Sequence, residues 1–136
     1  MTTVLARSVH TSARRTRAVC VGLAVLANTV LFTVAAALGT DFEITDPGKT
    51  EAHRFVAPEI AVFTLAVGLL AWGTLAALER FTRTAKTIWA ALAGAVLLLS
   101  FVPIGLEQAT TDTRIVLGVL HLAAGAALLP MLRTTR

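Results

Sequence analysis

Residues 87–106 read TIWAALAGAVLLLSFVPIGL, twenty positions without a charge. At 1.5 Å of rise per residue, a helix of this length covers about 30 Å, the thickness of the hydrocarbon core of a bilayer. The stretch shows no period-2 alternation and is rich in Ala and Leu, which excludes a strand. Three further runs have the same character, at about Ala18–Leu38, Pro58–Leu78 and Ile115–Leu132. The expected fold class is therefore all-α, a bundle of four transmembrane helices. The 136 residues leave room for one domain only.

Composition agrees. Hydrophobic residues make up 56% of the chain and charged residues 15%, against about 25% charged in a soluble domain. The mean hydropathy of +0.77 excludes an ordinary water-soluble enzyme. The net charge of +4 would point to nucleic acid in a soluble protein. Here the basic residues border apolar blocks, as the positive-inside rule produces, so no nucleic-acid partner is expected. Cys20 is the single cysteine. An intramolecular disulfide, a CxxC motif and a cysteine metal site are thus impossible, and the thiol reads as a small buried apolar group.

Loop charges orient the bundle. Arg7, Arg14, Arg15, Arg17, Arg80, Arg83, Lys86, Arg133 and Arg136 lie before span 1, between spans 2 and 3, and after span 4; these are nine of the twelve basic residues. The other two connections hold seven of the eight acids, namely Asp41, Glu43, Asp46, Glu51, Glu59, Glu107 and Asp112. Both termini are therefore expected in the cytoplasm, and the connection 39–57 outside it. Span 1 follows a basic segment, as a secretory signal does. Its unbroken length of about 20 residues exceeds the 7–15 of a signal's apolar region, so a retained span is expected.

Helix ends are also legible. Pro58 and Glu59 suit the first turn of span 2, and Asp112 or Thr111 can cap span 4. Pro103 removes a backbone bond inside span 3 and predicts a kink near Leu99 or Ser100, with Ser100 available to repair the backbone. Gly39–Ala57 is the only long connection and carries a turn signal at Asp46-Pro47-Gly48; it reads as an ordered flap or a short surface segment.

Polar residues within or beside the spans are the candidate sites. Asn28 falls mid-span, where its amide needs a partner on another helix or a ligand. His121 shares a helical face with Gly118, Leu122 and Gly125, which places it towards the interior, bonded to a facing helix or exchanging protons or a ligand. Val96, Ser100, Pro103 and Glu107 follow steps of four, three and four along one face. Glu107 and Glu59 lie at the outer mouth, with Arg54 and Arg114 as counter-charges. Together these residues predict a shallow polar pocket opening outward with Asn28 at its floor. No metal site is expected, because the nearest second imidazole, His53, lies in the connection. No cofactor and no catalytic residue is expected either. Gly48-Lys49-Thr50 has Glu43 where a phosphate-binding loop needs Gly, and neither a His-Glu-x-x-His run nor a Gly-x-Ser-x-Gly elbow occurs. Trp72 and Trp89 read as interfacial anchors.

Asn28 in span 1, the Leu99-Ser100-x-x-Pro103 run in span 3 and the His121-Leu122 pair among small residues in span 4 resemble an actinobacterial family of small four-helix integral membrane proteins catalogued as a domain of unknown function. Ten Arg against two Lys, with abundant Ala, fits a high-GC coding bias. The resemblance covers nearly the whole chain. It implies a small bacterial inner-membrane protein, with Asn28, Ser100, Pro103 and His121 as the positions to test, and brings no activity with it.

Three functions compete. The first is a non-catalytic binding or accessory bundle that holds a lipid-like ligand or packs against a larger membrane partner. The second is a homo-oligomeric small transporter or ion conduit in which His121 exchanges protons. The third is a small membrane enzyme acting on a lipid-soluble substrate with His121 as acid or base.

Overall fold

The computed structural model describes residues 2–134, with side chains from residue 13 onward. Arg136 and the side chain of Arg7 lie outside the described residues. Four helices dominate: α1 (Thr2–Ala37), α2 (Ala57–Phe81), α3 (Ala85–Leu106) and α4 (Thr111–Leu128). Between α1 and α2 two short strands, β1 (Glu43–Ile44) and β2 (His53–Arg54), pair antiparallel with Glu43 opposite Arg54. Each helix packs on its sequence neighbours and α4 closes back on α1, giving a four-membered ring whose connections are short except for the one between α1 and α2. All four helices are long and apolar enough to cross a membrane. The chain is a multi-pass membrane protein.

Helix α1 begins at Thr2 rather than near Ala18, so Arg14, Arg15 and Arg17 are helical residues. Nothing in this segment breaks a helix, since Gly and Pro are absent from residues 2–21. One buried stripe runs along α1 through Arg17, Cys20, Val21, Ala24, Asn28 and Phe32, at the three- and four-residue steps of a single helical face. At the basic end of the bundle, Cys20, Val21, Ala24, Leu75, Trp89 and Met131 form one apolar cluster. Trp89 donates its indole N–H to the Ala71 carbonyl at 2.8 Å, fixing α3 to α2. At the acidic end Phe32, Phe42, Ile44, Ile60, Leu117 and Leu120 form a second cluster.

The connection 39–57 is folded inward. Phe42 and Ile44 are buried, and the Phe42 ring lies 4.1 Å, centroid to centroid, from that of Phe32. Thr45 and Gln108 exchange both backbone hydrogen bonds, at 2.9 and 3.0 Å, which ties this connection to the one between α3 and α4. The acidic end is thus closed by a lid with its own apolar underside.

Helix α2 starts with Glu59 Oε2 accepting from the Val56 N–H at 3.1 Å, and Pro58 sits in the first turn. The cap of α4 is Thr110, whose hydroxyl accepts from the Thr113 N–H at 3.3 Å; Thr111 and Asp112 instead occupy the first turn. Helix α3 runs uninterrupted through Pro103. Helix α4 tightens into a 3₁₀ segment over Leu129–Thr134, where Pro130 has no N–H to give the carbonyl one turn earlier.

Candidate functional site

Asn28 lies between the two apolar clusters, 5% exposed. Its Nδ2 donates to Thr64 Oγ1 of α2 at 3.1 Å, while its Oδ1 has no partner among the described residues. The amide thus joins two helices at mid-depth, where water is excluded and a polar group must find protein. Apolar side chains stand where the pocket with Asn28 as its floor was predicted. One turn further out Phe32 is buried against Phe42 of the lid, so apolar rings occupy the space between Asn28 and the outer mouth.

His121 is half-buried and faces α3. Its Nδ1 lies 2.7 Å from the carbonyl of Leu117 on its own helix, not from a facing helix as predicted. A carbonyl only accepts, so Nδ1 is the donor in this contact. The ring centroid is 6.1 Å from that of Phe101. The small residues of the same face are what let α3 approach. A Cβ on Gly118 would sit 3.4 Å from Phe101 Cε1, and one on Gly125 3.3 Å from Leu97 Cδ2.

The remaining predicted residues serve helix ends and backbone. Ser100 Oγ donates to Leu97 O at 2.6 Å, rather than to the Leu99 carbonyl that Pro103 deprives of a donor. Glu59, besides capping α2, lies 3.3 Å from His53 Nε2. Arg114 Nη2 donates to the backbone carbonyl of Glu107 at 2.8 Å. Burial, with Asp46 adding repulsion, pushes the Glu107 carboxyl above its ordinary range. The structure therefore brings Asn28 to Thr64 and His121 to Phe101, and among the described residues no hydrogen bond or ion pair joins Ser100, Glu59 and Glu107 to one another. Among the described residues no group of three or more His, Cys, Asp or Glu could hold a metal ion.

Two polar clusters were not foreseen. Arg17, 5% exposed, donates from Nη2 to Glu79 Oε1 at 2.6 Å and from Nε to Thr134 Oγ1 at 2.9 Å, fastening α1, α2 and the terminal 3₁₀ segment together. A signal for this existed, because Glu79 is the one acid on the basic side of the charge map and Arg17 stands on the stripe of Ala24 and Asn28. At the opposite end the fully buried hydroxyl of Thr113 donates to Asp41 Oδ1 at 2.7 Å and accepts from the Phe42 N–H at 3.3 Å. That hydroxyl, followed by the Glu43 amide and Thr110, holds the Asp41 carboxyl below the usual carboxylate range. These residues are far apart in sequence and carry no pattern.

A further feature lies on the outside of the helix pair α1 and α2. An apolar groove of about 510 Å³ runs between Val21, Gly22, Val25 and Leu26 of one helix and Leu65 and Leu69 of the other, from Ala18 and Trp72 at the basic end to Thr29. Its base is narrow because α1 and α2 touch beside it: a Cβ on Gly68 would come within 3.0 Å of Val21 Cγ1, whereas one on Gly22 would meet nothing within 4 Å.

A family model described as a family of unknown function, DUF6069, matches residues 8–136. The chain belongs to this family. No curated protein and no solved structure matches it. For this DUF6069 chain the match takes in all four helices and the lid.

Proposed function

We propose that this protein is a non-catalytic binding bundle of a bacterial inner membrane, with both termini cytoplasmic, that holds a lipid-like molecule in the groove between α1 and α2. The observation that supports this reading is the groove itself, an open apolar volume of about 510 Å³ beside a glycine whose side is empty. The inward polar groups are meanwhile engaged in holding helices together, as Asn28 with Thr64 and Arg17 with Glu79 do. Helix α3 buries only Ala85 and Trp89 among its described residues. Its broad apolar surface is that of a lipid-facing helix and leaves room for a larger membrane partner or a second copy.

Native mass spectrometry of the protein released gently from its own membrane tests the binding reading. A discrete adduct is expected, present in Gly73→Leu and lost in Gly22→Leu, which fills the groove. An unadorned chain in both would overturn it. The second reading, a homo-oligomeric proton conduit, draws support from His121, whose Nε2 has no hydrogen-bond partner among the described residues. Proteoliposome flux that responds to a pH gradient and disappears in His121→Ala would establish it in place of the first; flux unchanged by that substitution would remove it. Catalysis on a lipid-soluble substrate has no observation in its favour.

A further inference from the structure

The groove does not end in apolar surface at the basic end of the bundle. On α1 its lining recurs at Ala18, Val21 and Gly22, Val25 and Leu26, and Thr29. The same three- and four-residue steps continued outward reach Arg14 and Arg15, one turn beyond Ala18. On α2 the line of Leu65, Leu69 and Trp72 continues in the same way through Ala76 to Arg80. All three arginines are exposed, and none has an ion-pair partner among the described residues. The acid nearest in sequence, Glu79, is already bonded to the buried Arg17. Three uncompensated guanidinium groups therefore stand at the mouth of an apolar trough.

From this juxtaposition we infer that the groove is a binding site for one net-anionic phospholipid of the bilayer leaflet on the basic side, an acyl chain lying along Gly22 and Leu69 and the headgroup phosphate against Arg14, Arg15 and Arg80. The dimensions agree. Ala18 to Thr29 spans about 16 Å of helix, roughly half the hydrocarbon thickness and hence the depth of one leaflet. A planar guanidinium meets phosphate oxygens two at a time, and Trp72, about two turns inside Arg80, suits the boundary between chains and headgroups. An acyl chain alone would need no cation at the mouth, and a free phosphate would need no trough.

The inference rests on the binding reading above but fails separately from it. The protein is reconstituted with equal amounts of phosphatidylglycerol and phosphatidylcholine of the same acyl chains, and retained lipid is read by native mass spectrometry. The expected result is one phosphatidylglycerol per chain, favoured about tenfold or more, since each basic group near an anionic surface contributes several-fold. Arg14→Gln with Arg15→Gln should bring the two lipids to near parity while leaving the amount of bound lipid similar. Gly22→Leu should remove both lipids, and Gly73→Leu should remove neither. Equal retention by the unaltered protein overturns the headgroup inference whatever the variants do. If Gly22→Leu still displaces an adduct in that case, the binding reading stands; if no adduct depends on Gly22, both fall.

Discussion

Asn28 and Asp41 show how single polar groups are made tolerable here by partners on other segments. The Asn28 amide reaches Thr64 with one arm and, among the described residues, leaves the other unmatched in a site that excludes water. Its contribution is therefore the bond to Thr64 less the cost of the orphaned oxygen. A double-mutant cycle with Asn28→Ala and Thr64→Ala, read by thermal unfolding in detergent, should give a coupling of about 0.6–1.7 kcal/mol. A coupling near zero would show that the two helices are joined by packing alone. Asp41 has the opposite character, a partly exposed carboxylate whose ionised form is favoured by the Thr113 hydroxyl. A carboxylate with a lowered folded pKa stabilises above its unfolded value, about 3.9, and that contribution is lost as pH falls through the folded value. Glu107, whose pKa is raised, acts in the reverse sense, and its protonation at milder acidity relieves repulsion with Asp46. Hydrogen-exchange protection of segment 40–46 should accordingly hold or rise slightly on first acidification and then fall below about pH 3.9. Asp41→Asn should abolish the second step; an unaltered fall in that variant would assign it to another group.

Between elements, the closest approach decides which glycine matters. Gly68 faces the branched side chain of Val21, which is buried and stiff about χ1. Gly68→Leu must therefore push α1 and α2 apart and should cost about 1–3 kcal/mol, the usual range for overpacking. Gly73→Leu, five residues along the same helix with nothing within 4 Å, should cost nothing measurable. Equal unfolding temperatures for the two variants would show that α1 and α2 do not meet as described. The elements themselves differ in how far sequence reveals them. Four apolar runs of bilayer length identify the helices, because in lipid the backbone must satisfy itself and length alone selects the element. The start of α1 was hidden because its first residues are polar and lie beyond the apolar run that marked the span. The hairpin was hidden for another reason. Strands of two residues have no periodicity to read, and what holds them is tertiary: Phe42, at φ 53°, is buried under the lid against Phe32. For the same reason the aromatic rings packed above Asn28 could not be anticipated. Charges near a helix end are visible in sequence, whereas the ring that fills the space between them comes from a loop.

For the whole molecule, the placement of the two ends relative to the membrane decides what the basic mouth of the groove can meet. The charge map puts Arg14, Arg15, Arg80, Arg83, Lys86 and Arg133 at one end and the acidic lid at the other. The fold agrees with that division, because the ring of four antiparallel neighbours brings both termini and the α2–α3 connection to the same end. Retention of Lys and Arg on the cytoplasmic side during insertion then predicts a cytoplasmic basic end and an external lid. The chain is suited to a direct test, since its only cysteine, Cys20, is buried at 3% exposure and should stay silent towards a maleimide. Glu51→Cys, at an exposed position of the lid, should react with a membrane-impermeant maleimide in intact cells. Lys86→Cys, exposed at the start of α3, should react only after the membrane is opened. The reverse pattern would invert the molecule and turn Arg14, Arg15 and Arg80 to the external face. A headgroup held by those arginines would then have to come from the opposite leaflet, so the labelling result also determines which leaflet's lipids belong in the binding experiment.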